Sequence, residues 1–129
     1  MILGIGTDIV DINRFKTILE KAPKILERVY TEKELKKAKK LSGNKRVAYF
    51  AKRFAAKEAF SKTCGTGIGT DIGWKDIEIS NDKKGAPVIT LTKKAETFLK
   101  KKFKSKDIHI FLSLTDEKEY AMAFTLLTK

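Results

Sequence analysis

The chain has 129 residues, enough for one compact domain and too few for two ordinary ones. A hydrophobic content of 42% excludes a disordered tail, and two prolines with eight glycines exclude a linker-like or collagenous chain. Lys plus Arg is 28 against 16 Asp plus Glu, so the formal net charge of +12 calls for an anionic partner or a solvated lysine-rich surface.

No apolar run approaches the roughly 20 residues of a membrane span. The opening MILGIGTDIVDI lacks a basic start and meets Asp8 early, so it does not read as a signal peptide. One cysteine, Cys64, cannot form an internal disulfide, and one histidine, His109, leaves structural zinc without ligands. The expected setting is reducing and cytoplasmic.

Ile2 to Val10 reads as a first strand, dense in β-branched residues. Its alternation puts Gly4, Gly6 and Asp8 on one face and Leu3, Ile5, Thr7 and Ile9 on the other. Bare backbone beside a carboxylate implies a close approach by a ligand, a metal or another strand. The alternative is tight packing, with Asp8 capping the helix that follows. Helical periodicity then runs from Asp11 to Val29, open to interruption at Pro23. Arg14, Lys21, Lys24 and Arg28 share one stripe of that helix if Pro23 keeps the register, with Ile18 and Ile25 between them. Thr31 and Glu34 have the spacing of a capping box, opening a polar helix through Leu41, and Ser42 to Asn44 form a break.

Arg46 to Lys62 reads as the main helix. Val47, Phe50, Ala51, Phe54 and Ala55 form its apolar stripe, and Glu58 falls near the middle of that stripe. Lys57, Ser61 and Lys62 border the same arc. A carboxylate facing a core must be paired, protonated or metal-bound. Either Glu58 pairs with a buried arginine or lysine, or it joins Asp8 in a hard-metal site. Mg²⁺ suits the second reading, because it takes one or two carboxylates and completes its octahedron with water and substrate phosphates. Lys45 and Arg46 at the helix start, and Arg53 and Lys57 along one side, are then candidates for phosphate charge. Gly65, Gly67 and Gly69, in the loop from Cys64 to Gly73, free the backbone to approach an anion.

Trp74 to Ser80 and Pro87 to Thr92 read as strands joined by the turn NDKKG. Lys93 to Phe103 is a helix; Ile108 to Leu114 and Tyr120 to Leu127 form a hairpin through TDEKE. Strands and helices mixed without βαβ regularity predict an α+β fold. It is a single domain over 1–129, with an antiparallel sheet packed around the long central helix.

GIGTDIVDINR (Gly4 to Arg14) and KRFAAKEAFSKTCGTGIG (Lys52 to Gly69) closely resemble the two main motifs of the holo-acyl-carrier-protein synthases, the small trimeric 4′-phosphopantetheinyl transferases. The similarity continues through WKDIEISNDKKGAP to the LTDEKEYAMA hairpin, nearly the whole chain. The resemblance implies a Mg²⁺-dependent transfer of 4′-phosphopantetheine from coenzyme A to a serine of apo acyl carrier protein, releasing 3′,5′-ADP in support of fatty acid biosynthesis. It implies Asp8 and Glu58 as magnesium ligands; Lys62, one helical turn beyond Glu58, is the third catalytic candidate, for contacting a phosphate oxygen. Coenzyme A falls to Lys45, Arg46, Arg53, Lys57, Ser61 and Gly65, and the carrier to Arg14, Lys21, Lys24 and Arg28. The implied assembly is a homotrimer with coenzyme A between neighbouring subunits.

One departure stands out. Many members carry an HxSxxH-like pattern in the penultimate strand, where this chain has Phe111 and Asp116. His109 lies two residues before the first of these places and reads as a structural or surface residue. A nucleic-acid-binding module would use the charge and stack bases on Phe50, Phe54 and Phe60, but gives no reason for Asp8 beside two glycines or for Glu58 in a core-facing arc. A Mg²⁺-dependent nuclease would need more carboxylates than the two that stand out. Neither nucleic acid nor membrane is therefore an expected partner.

Overall fold

The computed structural model describes residues 1–129. In chain order the elements are β1 (Ile2–Asp11), α1 (Ile12–Lys21), α2 (Ile25–Val29), α3 (Glu32–Ala38), α4 (Gly43–Thr63), β2 (Ile77–Asn81), β3 (Pro87–Leu91), α5 (Lys93–Lys102), β4 (His109–Asp116) and β5 (Tyr120–Thr128). β5 is the middle strand of an antiparallel sheet in the order β1–β5–β4, and β2 with β3 forms a separate antiparallel hairpin. The class is the expected α+β arrangement around one long helix. No helix is long and apolar enough to cross a membrane.

Two local departures from the sequence reading have clear causes. The helix expected from Asp11 to Val29 is two helices. Asp11, not Asp8, caps α1, its Oδ1 accepting the Arg14 N–H at 3.1 Å. Pro23 disfavours helical backbone at the residue before it, and Ala22 sits at φ −134°, ψ 67°. The basic stripe is thereby divided. Arg14 and Lys21 lie on α1, while Lys24 and Arg28 cap and close α2, all four exposed. The strand expected from Trp74 begins only at Ile77, because Asp76 ties its first three residues into a 3₁₀ turn. Asp76 Oδ2 accepts the Gly73 N–H at 2.8 Å and its Oδ1 accepts the Thr92 hydroxyl at 2.6 Å.

The capping box at α3 is present and does more than cap. Glu34 Oε1 accepts the Thr31 N–H at 2.9 Å and a Lys57 Nζ proton at 2.6 Å, while Oε2 accepts the Ile79 N–H at 2.7 Å. One buried carboxylate thus joins α3, α4 and β2.

α4 is covered on nearly every side: β1 and β5 pack on one flank, and α1, α3 and β2 on others. Alanines at 51, 55, 56 and 59, all buried, let these elements come close. β1 comes closest. A Cβ built on Gly4 would overlap the Thr63 carbonyl oxygen, and one on Gly6 the Ala59 carbonyl oxygen. Of the close approaches open to the two glycines, packing is the one realised, and the packed element is α4 itself. The opposite face of the β1–β5–β4 sheet is apolar and open: Ile5 and Ile9 are each 62% exposed and Phe111 55%, beside Met122 and Phe124.

Candidate active site

The contact of β1 with α4 brings Asp8 and Glu58 to one cleft. Asp8 follows Gly4 and Gly6 on the helix-facing side of the strand, and Glu58 lies one helical turn beyond Phe54. Lys62 donates to Asp8 Oδ1 at 3.2 Å and to the Thr7 carbonyl at 3.1 Å, its side chain largely exposed. Desolvation, and then the neighbouring Asp8 charge, push the Glu58 carboxyl above the usual glutamate range, against the pull of Lys62. Both carboxylates line a cleft of about 300 Å³ together with Arg14, Ile18, Ile25 and Phe54.

This donor set fits one hard cation that keeps water and shares a substrate's phosphates. The Asp8 charge adds to the cost of ionising Glu58, which a divalent ion relieves, and open volume remains beside them. It does not fit an all-protein cage, since no third His, Cys, Asp or Glu joins the pair.

Several basic residues expected beside these carboxylates lie elsewhere. Lys57 is fully buried, its ammonium donating to Glu34, to the Val29 carbonyl at 2.7 Å and to the Trp74 carbonyl at 3.2 Å. All three donors are used, so Lys57 has none left for a phosphate. Burial holds its ammonium below the usual lysine range, against the opposing pull of Glu34. The buried ion pair considered for Glu58 in fact belongs to its neighbour. Ser61 is likewise enclosed, its hydroxyl donating to the Glu58 carbonyl at 2.7 Å.

Gly65 does not open an anion cradle. Its N–H donates to the Lys62 carbonyl at 3.0 Å, and those of Thr66 and Gly67 donate to the Ser61 carbonyl at 3.2 Å. These bonds close the C-terminal end of α4, where the helix dipole favours cations, and Lys102 supplies one at the Cys64 carbonyl. Gly65 is needed there for its left-handed backbone, φ +74°.

Arg53 sits about 140° round α4 from Glu58. Its guanidinium stacks over Tyr49 at 3.7 Å, donates to Asn81 Oδ1 at 2.8 Å, and leaves Nε without a partner. It lines a separate cleft with Lys37 and Lys52. Lys45 and Arg46 lie about 18–20 Å along the helix axis from Glu58. Lys45 is exposed, and Arg46 lies over the Phe50 ring at 4.9 Å. Asp116 forms an ion pair with Lys52 at 3.4 Å, and His109 is an exposed end residue of β4.

Of the predicted catalytic residues, Asp8, Glu58 and Lys62 are brought together. Arg14, assigned to carrier docking, joins them at the cleft. Lys37 and Lys52 have no distinguishing spacing in the sequence, yet they join Arg53 at its cleft, where the NDKKG turn holds Asn81 beside the guanidinium. Phe54, on the apolar stripe of the helix, packs against the core through Phe15, tilted at 5.2 Å, and Trp74, stacked at 5.1 Å, and is also a wall of the cleft.

Residues 4–125 match the family model of the 4′-phosphopantetheinyl transferase superfamily. A holo-[acyl-carrier-protein] synthase from Pelagibacter ubique is 43% identical over 128 residues, covering 99% of this chain and 98% of that protein. Among solved structures, a holo-[acyl-carrier-protein] synthase from Neisseria meningitidis superposes with a TM-score of 0.90 at 35% identity, covering 100% of both chains. A second, from Bacillus anthracis in complex with CoA (3′,5′-ADP), superposes with a TM-score of 0.83 at 38% identity, covering 98% of this chain and 96% of that one.

Proposed function

The chain belongs to the 4′-phosphopantetheinyl transferase superfamily and is an enzyme of that class, and we propose that it transfers 4′-phosphopantetheine from coenzyme A to a serine of an apo acyl carrier protein. The observation that carries this reading is the meeting of Asp8 and Glu58, from two separate motifs, at a cleft that Arg14 lines, with Lys62 donating to Asp8.

In the proposed reaction the serine Oγ, releasing its proton to solvent water, attacks the phosphorus nearer the pantetheine. A new P–O bond forms, the bond from that phosphorus to the bridging oxygen breaks, and 3′,5′-ADP leaves with the electron pair. Asp8 and Glu58 would hold Mg²⁺, which when bound polarises the pyrophosphate and offsets charge on the leaving group. Lys62 has an exposed ammonium within reach of the same space and contacts a phosphate oxygen. Arg14 at the cleft, with Lys21, Lys24 and Arg28 on the outer surface of α1 and α2, receives the acidic carrier.

The separation of the basic residues from Glu58 agrees with coenzyme A lying between subunits of a homotrimer. In that reading the nucleotide end meets Arg53, Lys37 and Lys52 of one subunit, while its pyrophosphate lies at the carboxylates of the next. The apolar outer face of the β1–β5–β4 sheet supports such an assembly, since a monomer would leave Ile5, Ile9 and Phe111 in water. The product would be holo carrier protein for fatty acid biosynthesis in the cytoplasm.

The test is mass spectrometry of an apo acyl carrier protein incubated with coenzyme A, Mg²⁺ and this protein. The carrier should gain the mass of one phosphopantetheine, lose the gain with chelator and recover it with added Mg²⁺. A carrier of unchanged mass under all these conditions would overturn the assignment.

A further inference from the structure

β3 lies beside β4 without a hydrogen-bonded ladder between them, and α5 packs against β3 next to the gap. The gap is a cleft of about 350 Å³ whose apolar walls are Ile89 and Leu91 from β3, Leu99 from α5, and Ile108 and Ile110 at β4, with Thr90 and the Lys100-paired Glu96 also lining it. At one end it meets a second cleft, of about 450 Å³, which has no apolar residue and is bordered by Lys101, Lys104 and Ser105. Lys100 and Lys106 line both.

The charge here is concentrated. From Lys93 to Lys106 there are seven lysines and one acidic residue, Glu96. Three of the lysines are committed: Lys94 to Asp76 at 3.2 Å, Lys100 to Glu96 at 2.6 Å, and Lys102 to the Cys64 carbonyl. The other four, Lys93, Lys101, Lys104 and Lys106, form no ion pair, and the last three border the polar cleft. Lys104 also carries the only left-handed backbone outside glycine, φ 51°, at the position after a helix where glycine is ordinarily found. A lysine kept there at a backbone cost places an ammonium at the lip of the polar cleft.

We propose that these adjoining clefts bind one molecule of a single-chain anionic amphiphile. Its aliphatic chain lies among Ile89, Leu91, Leu99, Ile108 and Ile110, and its anionic head at Lys104 and Lys106. A free phosphate would leave the apolar walls unused, and a neutral lipid would leave the ammonium groups unused. The apolar cleft sits near the lower end of small-ligand pockets, about 300 Å³, which suits one chain and not the two of a diacyl lipid. None of these residues belongs to the transfer site. The cleft lies on the face of β4 opposite Phe111, so the subunit contact proposed above leaves it open.

The test is isothermal titration with octanoate, decanoate and dodecanoate, each below its micelle concentration. Affinity should rise at each step, by up to about 15-fold per two methylenes. Dodecyltrimethylammonium, with the same chain and the opposite charge, should bind at least tenfold more weakly than dodecanoate. K104G/K106E should lose at least tenfold in dodecanoate affinity while keeping transfer activity and a thermal midpoint no lower than the parent's; K106E alone should lose part of the affinity. The proposal is overturned if affinity does not depend on chain length, if cation and anion bind alike, or if K104G/K106E binds as the parent does. It is equally overturned if the protein binds phosphatidylglycerol vesicles and no monomeric dodecanoate, which would make the lysines a membrane-surface patch.

Discussion

Lys57 and Glu58 are adjacent on α4 and enter different environments: the ammonium is sealed against Glu34, while the carboxylate opens onto a cleft beside Asp8. The first fixes how α4 is rotated against α3 and β2. The second uses that rotation. The buried pair therefore holds the face of the helix on which Glu58 and Lys62 reach Asp8.

Breaking that pair should be costly. Lys57→Met leaves the Glu34 carboxylate buried without its cation and should lower stability by about 3–5 kcal/mol. The double variant Lys57→Met/Glu34→Gln should lose less than the sum of the two single changes, since neither leaves an uncompensated charge in it. Urea unfolding of the four proteins measures this. Additive losses would show that the two groups do not act as a pair.

Glu58 should show a trade between stability and activity. Its carboxyl is raised in the folded state, so the fold binds this proton more tightly than the unfolded chain does. The stabilisation it gives is full below the unfolded glutamate value, about 4.3, and is lost as pH rises through the folded value. Glu58→Gln should therefore raise the thermal midpoint at pH 7 and leave it unchanged near pH 3.5, while transfer is lost. Asp8→Ala should also remove transfer with the fold intact. Full turnover in both variants at saturating Mg²⁺ would refute the carboxylate assignment.

Gly6 has no room for a side chain. Gly6→Ala drives a methyl group into the Ala59 carbonyl and the Thr63 hydroxyl, and the strand must move away from α4. A loss of at least about 3 kcal/mol is expected, beyond ordinary overpacking because rigid backbone is what it meets. A folded fraction of the variant should also have weakened Mg²⁺ affinity, measurable by titration, as Asp8 moves with β1.

Carrier docking is tested by reversing charge. Arg14→Glu with Lys24→Glu should raise the KM for the carrier and flatten its salt dependence, with coenzyme A affinity little changed. Equal damage to coenzyme A binding would place Arg14 in the nucleotide site.

The outer sheet face gives an assembly test. Ile9→Glu with Phe124→Glu places charges on a surface that self-association would bury. Sedimentation should show trimer for the parent and monomer for the variant. A monomeric parent with full activity would remove the need for a second subunit at the site.

By itself the sequence determined the fold class, the capping box at Thr31 and Glu34 and the long helix, and it marked Asp8 and Glu58 as two carboxylates at positions where their neighbours are glycine or apolar. These are local or periodic signals: alternation along β1, 100° steps along α4, and short capping spacings. Only the tertiary structure decided which basic residues stand near those carboxylates. α4 is packed by strands on one flank and by helices and a hairpin on others, so its periodicity marks no single solvent face. Lys57, Ser61 and Arg53 look as available as Lys62 on a helical wheel. What separates them is the element lying against each: Glu34 and two carbonyls enclose Lys57, the helix backbone takes the Ser61 hydroxyl, and Tyr49 and Asn81 hold Arg53. In the same way the glycines of β1 announced a close approach, but only the path of the chain in space made the approaching element α4, and so set Asp8 beside Glu58.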